Sequence, residues 1–572
     1  MTSKRRPTIA IGLDSVDPSV MEKWMAAGYL KNLNQLRQQG SYGQLDNTVN
    51  YCDIPVETSS TERLWVMALT GCLPNTTGYW GPVKYDVTNY EVNHETEYSF
   101  DYKNHPAFYA LGEDYKVAVF DAPVAALSDQ VNGPQILGWG GHAPHTPSHS
   151  QPPELFDQVV EKYGNNPVLH KDYGCWWDKE YARNIKKNLG ISIERRVNIC
   201  QDLLKQDDWD LFLTVFGDTH SASHDFWHLS QSDHPLYPYM EEERAAGDPM
   251  LAAFQKVDSA IGEILQAAPE DANVVVFSVH SMGNNVTDVF SMLFLGEFLY
   301  RFNFPGNMML APGKPGKRLE APNTKPQRKT WPGEVWQQKY SRNPIKRLMR
   351  RYLPGSVQTK LDNWLNSSER DTIRCPAWTT HSLNWQPAMW YQHLWPEMKA
   401  FALPAFAAGH IRINLKGREP GGIVDPADYD ALCTELTDKL MQLTDARTGK
   451  PVVKEVVKTR KSATDTSPNL PDPDLVVLWH DTPTDVVDSP EHGRIGPVTY
   501  YRPGGHRVPG WLMAKGEGIE PGSDLSAGAA IDIGPTILGV MEIPTPEHCD
   551  GKPLIEKSTE QTVLSGPTRV NH

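Results

Sequence analysis

The sequence predicts an α/β protein, a doubly wound α/β/α sandwich in which helices cover both faces of a mainly parallel sheet. Several short runs are almost continuously apolar, which is typical of strands buried on both faces of such a sheet. These runs span 8–14, 116–123, 210–218, 273–281 and 474–481. Segments with helical periodicity lie between them, for example 185–205 and 250–267. Alternation of strands and helices along the chain is typical of a doubly wound sheet.

Chain length limits the number of domains, and net charge limits the classes of binding partner. With 572 residues, the chain can form one large domain with insertions or several ordinary domains. Its formal net charge of −15 argues against nucleic acid as a general partner. The charge is uneven, because residues 301–360 contain fourteen Lys or Arg residues and only two Glu.

Residues 301–400 interrupt the alternation of strands and helices. Residues 311–334 are rich in Pro, Gly and Lys, residues 343–365 can form a basic amphipathic helix, and residues 378–395 are rich in Trp. We therefore expect a catalytic core formed by 1–300 and 401–572, with 301–400 inserted as a basic, Trp-rich cap. Such a cap would shape substrate access or support a homo-oligomer. The alternative is a partly ordered excursion on the surface.

The N-terminal stretch and the cysteines indicate the cellular compartment in which the protein is expected. The apolar run in MTSKRRPTIAIGLD is short and is broken by Asp14, so it suits neither a signal peptide nor a membrane helix. The seven cysteines form no CxxC pair, which is typical of reduced thiols. We therefore expect a cytoplasmic protein that does not bind membranes.

Polar groups follow several of the predicted strands, where open α/β sheets commonly carry their catalytic residues. The candidate residues are Asp14, Thr61, Asp218, His220, His224, His280 and His506. His220 and His224 are spaced i, i+4 and share one face if their segment is helical, as in metal-binding helices. Each signal has an ordinary alternative: an Asp after a strand is commonly a turn residue, and Ser59 with Glu62 fits a capping box.

Taken together, these segments resemble the alkaline phosphatase superfamily, specifically its type I phosphodiesterase/nucleotide pyrophosphatase-like branch. GLDSVDP matches the family's first strand and places its metal-binding Asp at Asp14. TERLWVMALTG places the family's nucleophile at Thr61, nine residues before Thr70. Residues 532–554 resemble the family's C-terminal signature. The resemblance covers about 8–300 and 400–556 and implies an alkaline phosphatase-like fold.

The resemblance also implies a divalent metal, with zinc expected first and manganese or iron as alternatives. In the two-zinc members, an Asp, a His four residues later and a late His hold one metal. His220, His224 and His506 occupy these positions, so that His replaces the Asp.

The second metal position departs further from the family pattern. It is normally held by the first Asp, the nucleophile and an Asp-His pair within Ser-Asp-His-Gly. Here the pair is Val279-His280, so the His is retained and a carboxylate is lost. Asp218 is the expected substitute because it follows a neighbouring strand. The resemblance therefore implies one or two bound ions.

The chemistry implied is phosphoryl transfer through Thr61. A Thr hydroxyl is a poor nucleophile at neutral pH and requires activation, which two metals about 4 Å apart can supply. We expect a metal-dependent hydrolase of an anionic small molecule, either a phosphoester or a phosphodiester, that acts through a covalent intermediate. Arg63 and Arg418 are the candidates for contacting the substrate anion. The sulfatase motif C/S-x-P-x-R is absent at the nucleophile position.

The sequence leaves two alternative functions open. The same metal chemistry can act on a non-phosphate ester or an amide. The changes at two metal positions also suit a catalytically impaired relative, although most of the expected metal-site residues are retained.

Overall fold

The computed structural model describes residues 5–94, 100–140, 146–310, 319–340 and 385–555, together with residues 345, 348, 349, 353, 357 and 383. We number its strands in chain order. They are β1 (Thr8–Leu13), β2 (Ser41–Leu45), β3 (Thr48–Tyr51), β4 (Ile54–Glu57), β5 (Val83–Asp86), β6 (Glu91–His94), β7 (Gly112–Phe120), β8 (Val131–Asn132), β9 (Gln135–Leu137), β10 (His149–Gln151), β11 (Leu211–Phe216), β12 (Asn273–Ser278), β13 (Ser281–Asn284), β14 (Ala400–Leu403), β15 (Gly409–Ile413), β16 (Thr444–Asp445), β17 (Val453–Lys458), β18 (Leu475–Trp479), β19 (Val487–Ser489), β20 (Gly493–Ile495), β21 (Gly504–Arg507) and β22 (Gly510–Lys515).

The α-helices are numbered in the same way. They are α1 (Pro18–Ala26), α2 (Lys31–Gln39), α3 (Thr61–Thr70), α4 (Pro74–Thr77), α5 (Leu155–Tyr163), α6 (Lys179–Leu204), α7 (Asp218–Ser230), α8 (Glu241–Arg244), α9 (Pro249–Ala267), α10 (Leu295–Asn303), α11 (Trp331–Gln337), α12 (Tyr429–Leu440) and α13 (Ile533–Val540). The two helical segments predicted from periodicity are therefore confirmed, as parts of α6 and α9. Asp178 begins α6 by accepting hydrogen bonds from the backbone amides of Glu180 and Tyr181, which caps the helix.

A mixed sheet forms the centre of the molecule. Its strand order is β10-β9-β7-β11-β1-β12-β22-β2, with β8 paired to β7. Strands β9, β7, β11, β1 and β12 are parallel, whereas β10, β22 and β2 pair antiparallel with their neighbours. The prediction of a mainly parallel core is confirmed for the first four apolar runs. The fifth run was placed wrongly, because β18 belongs to a separate antiparallel sheet of order β14-β15-β18-β17.

Helices cover both faces of the central sheet, as expected of a doubly wound sandwich. In β1, Ile9, Ile11 and Leu13 pack in one hydrophobic cluster with residues of α1, α2, α6, α7 and α9. The intervening Ala10 packs on the opposite face with residues of α3 and α13. This alternation buries both faces of the strand and explains why its sequence is almost continuously apolar.

The described part of 301–400 does not stand apart from its flanking residues. Trp331, Trp390 and Trp395 are fully buried in one hydrophobic cluster. That cluster also contains residues of α10, β14, β15, β18 and α12, so it extends beyond both expected boundaries. The Trp-rich segment is thus part of this hydrophobic cluster. The basic helix predicted for 343–365 lies almost entirely outside the described residues.

Among the described residues, none of the helices combines the length and the apolar character that a membrane crossing requires.

Candidate active site

Three parallel strands end at the same edge of the central sheet, and polar side chains follow each of them. Leu13 is in register with Phe216, and Gly12 is in register with Phe277, so β1, β11 and β12 end side by side. Asp14 follows β1 directly. Helix α7 begins two residues after β11, and His280 follows two residues after β12.

A second group of side chains reaches this edge from α7 and from the distant strand β21. His220 and His224 lie four residues apart on α7, and both are buried. His506 lies on β21, which pairs antiparallel with β13 through Met282. Gly504 permits this approach, because a Cβ at that position would lie 2.3 Å from the carbonyl oxygen of Ser223.

The three imidazoles converge on one another. Nε2 of His506 lies 2.8 Å from Nε2 of His220 and 3.1 Å from Nε2 of His224. One nitrogen from each of the three residues lies within 4.8 Å of the others. Within the described part of the chain, no other group of three or more His, Cys, Asp or Glu residues converges in this way.

The partners of these rings assign their tautomers. Nδ1 of His224 lies 2.7 Å from the carbonyl oxygen of Gly504, so it carries the proton and donates. Nδ1 of His220 faces Asp14 Oδ2 at 3.4 Å, which favours the proton on that nitrogen too. The Nε2 lone pairs of both rings therefore point at His506. Three imidazole nitrogens that converge in this way form a donor set that suits a zinc-like ion.

Thr61 adjoins this cluster as the first residue of α3. Its Oγ1 lies 3.1 Å from Nδ1 of His506, and the side chain is buried. The N-terminus of a helix presents backbone N–H donors and the positive end of the helix dipole, both of which favour an anion. The alternative that Ser59 and Glu62 form a capping box does not describe this helix start: Ser60 is the N-cap, and its side chain makes no capping hydrogen bond.

Residues 8–332, more than half of the chain, match the family described as type I phosphodiesterase / nucleotide pyrophosphatase. The chain belongs to this family. The family resemblance predicted from the sequence is therefore confirmed, and family membership supports hydrolysis of phosphoester or phosphodiester bonds.

Solved structures similar to this phosphodiesterase-family chain include phosphonoacetate hydrolase from Sinorhizobium meliloti 1021 in complex with phosphonoformate. The two chains are 12% identical, the match covers 94% of this chain and 96% of that chain, and the TM-score is 0.46. Murine ectonucleotide pyrophosphatase / phosphodiesterase 5, an inactive form in complex with AMP, is 10% identical over 95% of this chain and 96% of that chain, with a TM-score of 0.43. A comparison with curated proteins gave no match.

Val279 is the residue that the family resemblance aligns with a metal-binding Asp, and the structure shows what surrounds it. Its side chain is fully buried in the hydrophobic cluster on the α3 side of the sheet. Its carbonyl oxygen accepts a hydrogen bond of 2.8 Å from Nδ2 of Asn47. Nε2 of the adjacent His280 lies 3.5 Å from Asp14 Oδ1. Beside His280, the structure thus has apolar packing where the resemblance implied a carboxylate.

Asp218, the expected substitute for the missing carboxylate, faces a buried arginine and is not part of the converging histidine group. It is the first residue of α7, and its Oδ2 faces Nε of the fully buried Arg196 at 3.6 Å. Arg196 also donates a 2.6 Å hydrogen bond to Asp121. Burial raises the pKa of Asp218. The residue is better described as part of a buried ion-pair group beneath α7 than as a member of the histidine cluster.

The two predicted substrate-binding arginines lie in different places. Arg63 lines a cavity beside the N-terminus of α3, although its guanidinium already donates to the carbonyl oxygen of Trp80 and to Thr58 Oγ1. Arg418 does not line this cavity. Its guanidinium donates two 2.7 Å hydrogen bonds to Asp474 and contacts Glu419, so it serves a buried ion-pair network.

The cavity has a volume of about 520 Å³ and reaches His506. Aromatic side chains form part of its wall, including Trp80, which stacks on Tyr51 with ring centroids 5.0 Å apart. His410, His480 and Arg507 also line it. None of the described residues in 301–400 lines this cavity, so the expected role of that segment in substrate access stays a prediction.

The sequence analysis did not single out three of the residues that line the cavity: His410, His480 and Arg507. A signal existed for His480, which directly follows the apolar run of β18 as other candidate residues follow theirs. Arg507 is adjacent to His506 in the sequence. No sequence signal marks His410, since it lies within β15 and reaches the cavity only through the packing of the second sheet.

Proposed function

We propose that this protein is a metal-dependent hydrolase of phosphodiesters that uses Thr61 as its nucleophile. The observation that carries the proposal is the position of Thr61 Oγ1, 3.1 Å from Nδ1 of His506 and at the N-terminus of α3. The hydroxyl thus lies beside a set of metal-ligating nitrogens and next to amide donors suited to an anion.

The residues present fit a divalent ion held by His220, His224 and His506. Asp14 would act behind this set, because a carboxylate facing Nδ1 of a ligating His sets its tautomer and orientation. When bound, the ion would supply Lewis-acid stabilisation of negative charge on the phosphoryl oxygens. Three neutral imidazoles suit zinc, and they also suit other first-row ions such as manganese and iron.

The described residues best support one tightly bound ion per chain. The second family position retains Asp14, Thr61 and His280, but Val279 contributes no ligand atom and Asp218 is directed at Arg196. Loss of a carboxylate also removes a negative charge that would attract a second cation. Any second ion should therefore bind more weakly than the first.

The remaining chemistry belongs to the chain's own groups. Nδ1 of His506, if it carries the ring proton, donates to Thr61 Oγ1 and leaves a lone pair of that oxygen free for attack. Attack forms an Oγ–P bond and breaks the bond from phosphorus to the leaving alkoxide, which carries away the proton that Thr61 gives up. Water then hydrolyses the phosphothreonine ester and restores the hydroxyl.

The cavity beside α3 favours a diester with an organic substituent. A volume of about 520 Å³ exceeds what a bare phosphoryl group requires and lies within the usual range of small-molecule sites. The stacked pair of Tyr51 and Trp80 offers a flat apolar face for such a substituent. Arg63 and Arg507 line the same space and complement an anionic substrate.

A substrate screen tests this proposal. The metal-loaded protein and its Thr61→Ala variant should be compared on bis(p-nitrophenyl) phosphate, p-nitrophenyl phosphate, phosphonoacetate and p-nitrophenyl acetate. We expect turnover to be fastest with the diester and to be lost in the variant. Faster hydrolysis of the carboxylic ester would instead support the non-phosphate alternative. No turnover by metal-loaded wild type would support a catalytically impaired relative.

A cytoplasmic location is also proposed. The six described cysteines are free thiols, which is the usual state in a reducing compartment. Fractionation of cells expressing the full chain, with marker proteins for each fraction, would test the location.

A further inference from the structure

Two thiols near the C-terminal end of α3 lie against the same backbone carbonyl. Sγ of Cys72 and Sγ of Cys549 each lie 3.4 Å from the carbonyl oxygen of Thr70. Cys72 is fully buried just after the C-terminus of α3, whereas Cys549 is half-buried in the C-terminal segment. Two cysteines 477 positions apart in sequence thus share one acceptor.

The two segments that carry these thiols are already held together by hydrogen bonds. The backbone amides of Asp550 and Gly551 donate to the carbonyl oxygen of Gly71, at 2.9 and 3.0 Å. The Asp550 carboxylate accepts from the Leu73 amide at 2.7 Å and from Thr76 Oγ1 at 2.8 Å. These hydrogen bonds keep the two cysteine-bearing segments next to each other.

Gly71 is what allows Cys549 to come this close. Its φ of +70° is a left-handed conformation that favours glycine. A Cβ at this position would lie 2.9 Å from Sγ of Cys549 and 3.2 Å from its Cβ. The glycine that ends α3 thus makes room for the second thiol.

The two thiols differ in exposure and in the direction of their pKa shifts. A hydrogen bond from the Cys72 thiol lowers the pKa of Cys549, and the same interaction together with burial raises the pKa of Cys72. Cys549 is also the more accessible of the two. Since the thiolate is the reactive form, Cys549 is the attacking group and Cys72 is the resolving one.

We propose that Cys72 and Cys549 form an oxidisable dithiol that closes to a disulfide when the protein meets a hydroperoxide. The Cys549 thiolate attacks the peroxide, the O–O bond breaks, and a sulfenic acid forms with release of an alcohol, or of water when the oxidant is hydrogen peroxide. Cys72 then attacks this sulfur, the S–O bond breaks, and water leaves with the thiol proton. The two thiols together lose two electrons and two protons.

The disulfide would tie the end of α3 to the C-terminal segment. Helix α3 begins with Thr61, so the bond would fasten the far end of the helix that presents this hydroxyl. Closing so long a loop restricts the unfolded chain and should raise the melting temperature of the oxidised protein by about 5 °C. The proposal does not depend on the proposed hydrolase activity.

The test treats the full-length reduced protein with hydrogen peroxide, blocks remaining thiols and maps cysteines by mass spectrometry under non-reducing conditions. We expect a peptide pair linking Cys72 to Cys549 and a higher melting temperature that returns to its starting value with dithiothreitol. Cys52 serves as an internal control, because it is also half-buried but burial raises its pKa. It should remain a thiol at peroxide levels that oxidise Cys549.

Variants separate the two roles. In Cys72→Ser, the sulfenic acid on Cys549 should persist and be trapped by dimedone, whereas Cys549→Ser should prevent any label at Cys72. The proposal is overturned if wild-type Cys549 and Cys52 oxidise at equal rates to separate sulfenic or sulfinic acids while Cys72 stays reduced. The wild-type map gives this result even if a variant does not fold.

Discussion

Thr61 Oγ1 and His506 Nδ1 lie 3.1 Å apart although 445 residues separate them in the chain. One residue begins a helix near the N-terminus, and the other lies on a strand formed near the C-terminus. Their meeting places a hydroxyl next to the only group of three converging histidines among the described residues.

Replacing Thr61 by Ala should reduce turnover by a factor on the order of 10³ or more, because the nucleophilic oxygen is lost. The side chain is small, so the melting temperature and the metal content should stay close to those of the wild type. Thr61→Ser is the matched control, since it retains the hydroxyl and should retain measurable activity. Near-wild-type turnover by Thr61→Ala would rule out this nucleophile.

His224→Ala and His506→Ala should each remove the tightly bound ion, because each leaves only two of the three nitrogens. Elemental analysis after dialysis would measure the metal content. His228→Gln provides a control on the same helix, one turn beyond His224 and outside the converging group. It should keep the ion. Unchanged metal content in both alanine variants would show that the ligand set is wrong.

Val279→Asp should add a carboxylate beside His280 and allow a second ion to bind tightly. We expect wild type to hold one ion, and the variant two, after dialysis against a mild chelator. Val279→Asn resembles Asp in size without its charge and should stay at one ion. Two tightly held ions in the wild type would mean that another group replaces the missing carboxylate.

Trp80→Ala should lower kcat/KM for a bis-aryl phosphodiester by about 10-fold, as expected from the loss of a stacking surface. A diester with methyl substituents lacks the stacking group and serves as the control substrate. The variant retains the backbone carbonyl of Trp80 to which Arg63 donates, although it loses the ring that lies 5.5 Å from the Arg63 guanidinium. Equal losses on both substrates would exclude a role for stacking.

His234 should make the fold sensitive to acid. Burial lowers its pKa to about 3, and its Nδ1 accepts a 3.1 Å hydrogen bond from the Leu236 amide, so the folded state keeps the ring neutral. The unfolded chain protonates this group near pH 6.5. The unfolded state therefore binds more protons below pH 6.5, and the free energy of unfolding falls as the pH drops from 6.5 toward 3.

The size of this effect can be measured with urea. From pH 7.5 to 5.5, His234 should remove about 1.4 kcal/mol of stability. His234→Asn retains an acceptor for the Leu236 amide but does not titrate, so its stability should fall by about 1.4 kcal/mol less over the same interval. An equal fall in both proteins would show that His234 does not contribute.

Much of the core could be predicted because its signals are local. The runs that became β1, β7, β11 and β12 are apolar at consecutive positions, since both faces of a central parallel strand are buried. The same signal misplaced β18. A continuous apolar run shows that a strand is buried, but it does not show which sheet the strand joins.

The candidate site was likewise predictable only in part: the sequence indicated residue identities but not side-chain directions. Asp14, Thr61 and the histidines were identifiable from residue type, from their position after strands and from the family motifs. Whether Asp218 reached the histidine cluster depended on side-chain direction, and the structure directs it to Arg196 instead. Likewise, the ion pairs that occupy Arg418 involve Asp474, 56 residues away.

The residues alone determined the α/β class and the family, because these depend on local composition and on motifs. They also gave the expectation, through the family motif, that Val279 stands where a carboxylate would bind metal. The single converging histidine group, the cavity with His410 and the shared carbonyl of Cys72 and Cys549 required the folded chain. These features join residues hundreds of positions apart. Their proximity arises when separate layers pack to bury apolar surface, and no local pattern encodes which polar side chains that packing brings into contact.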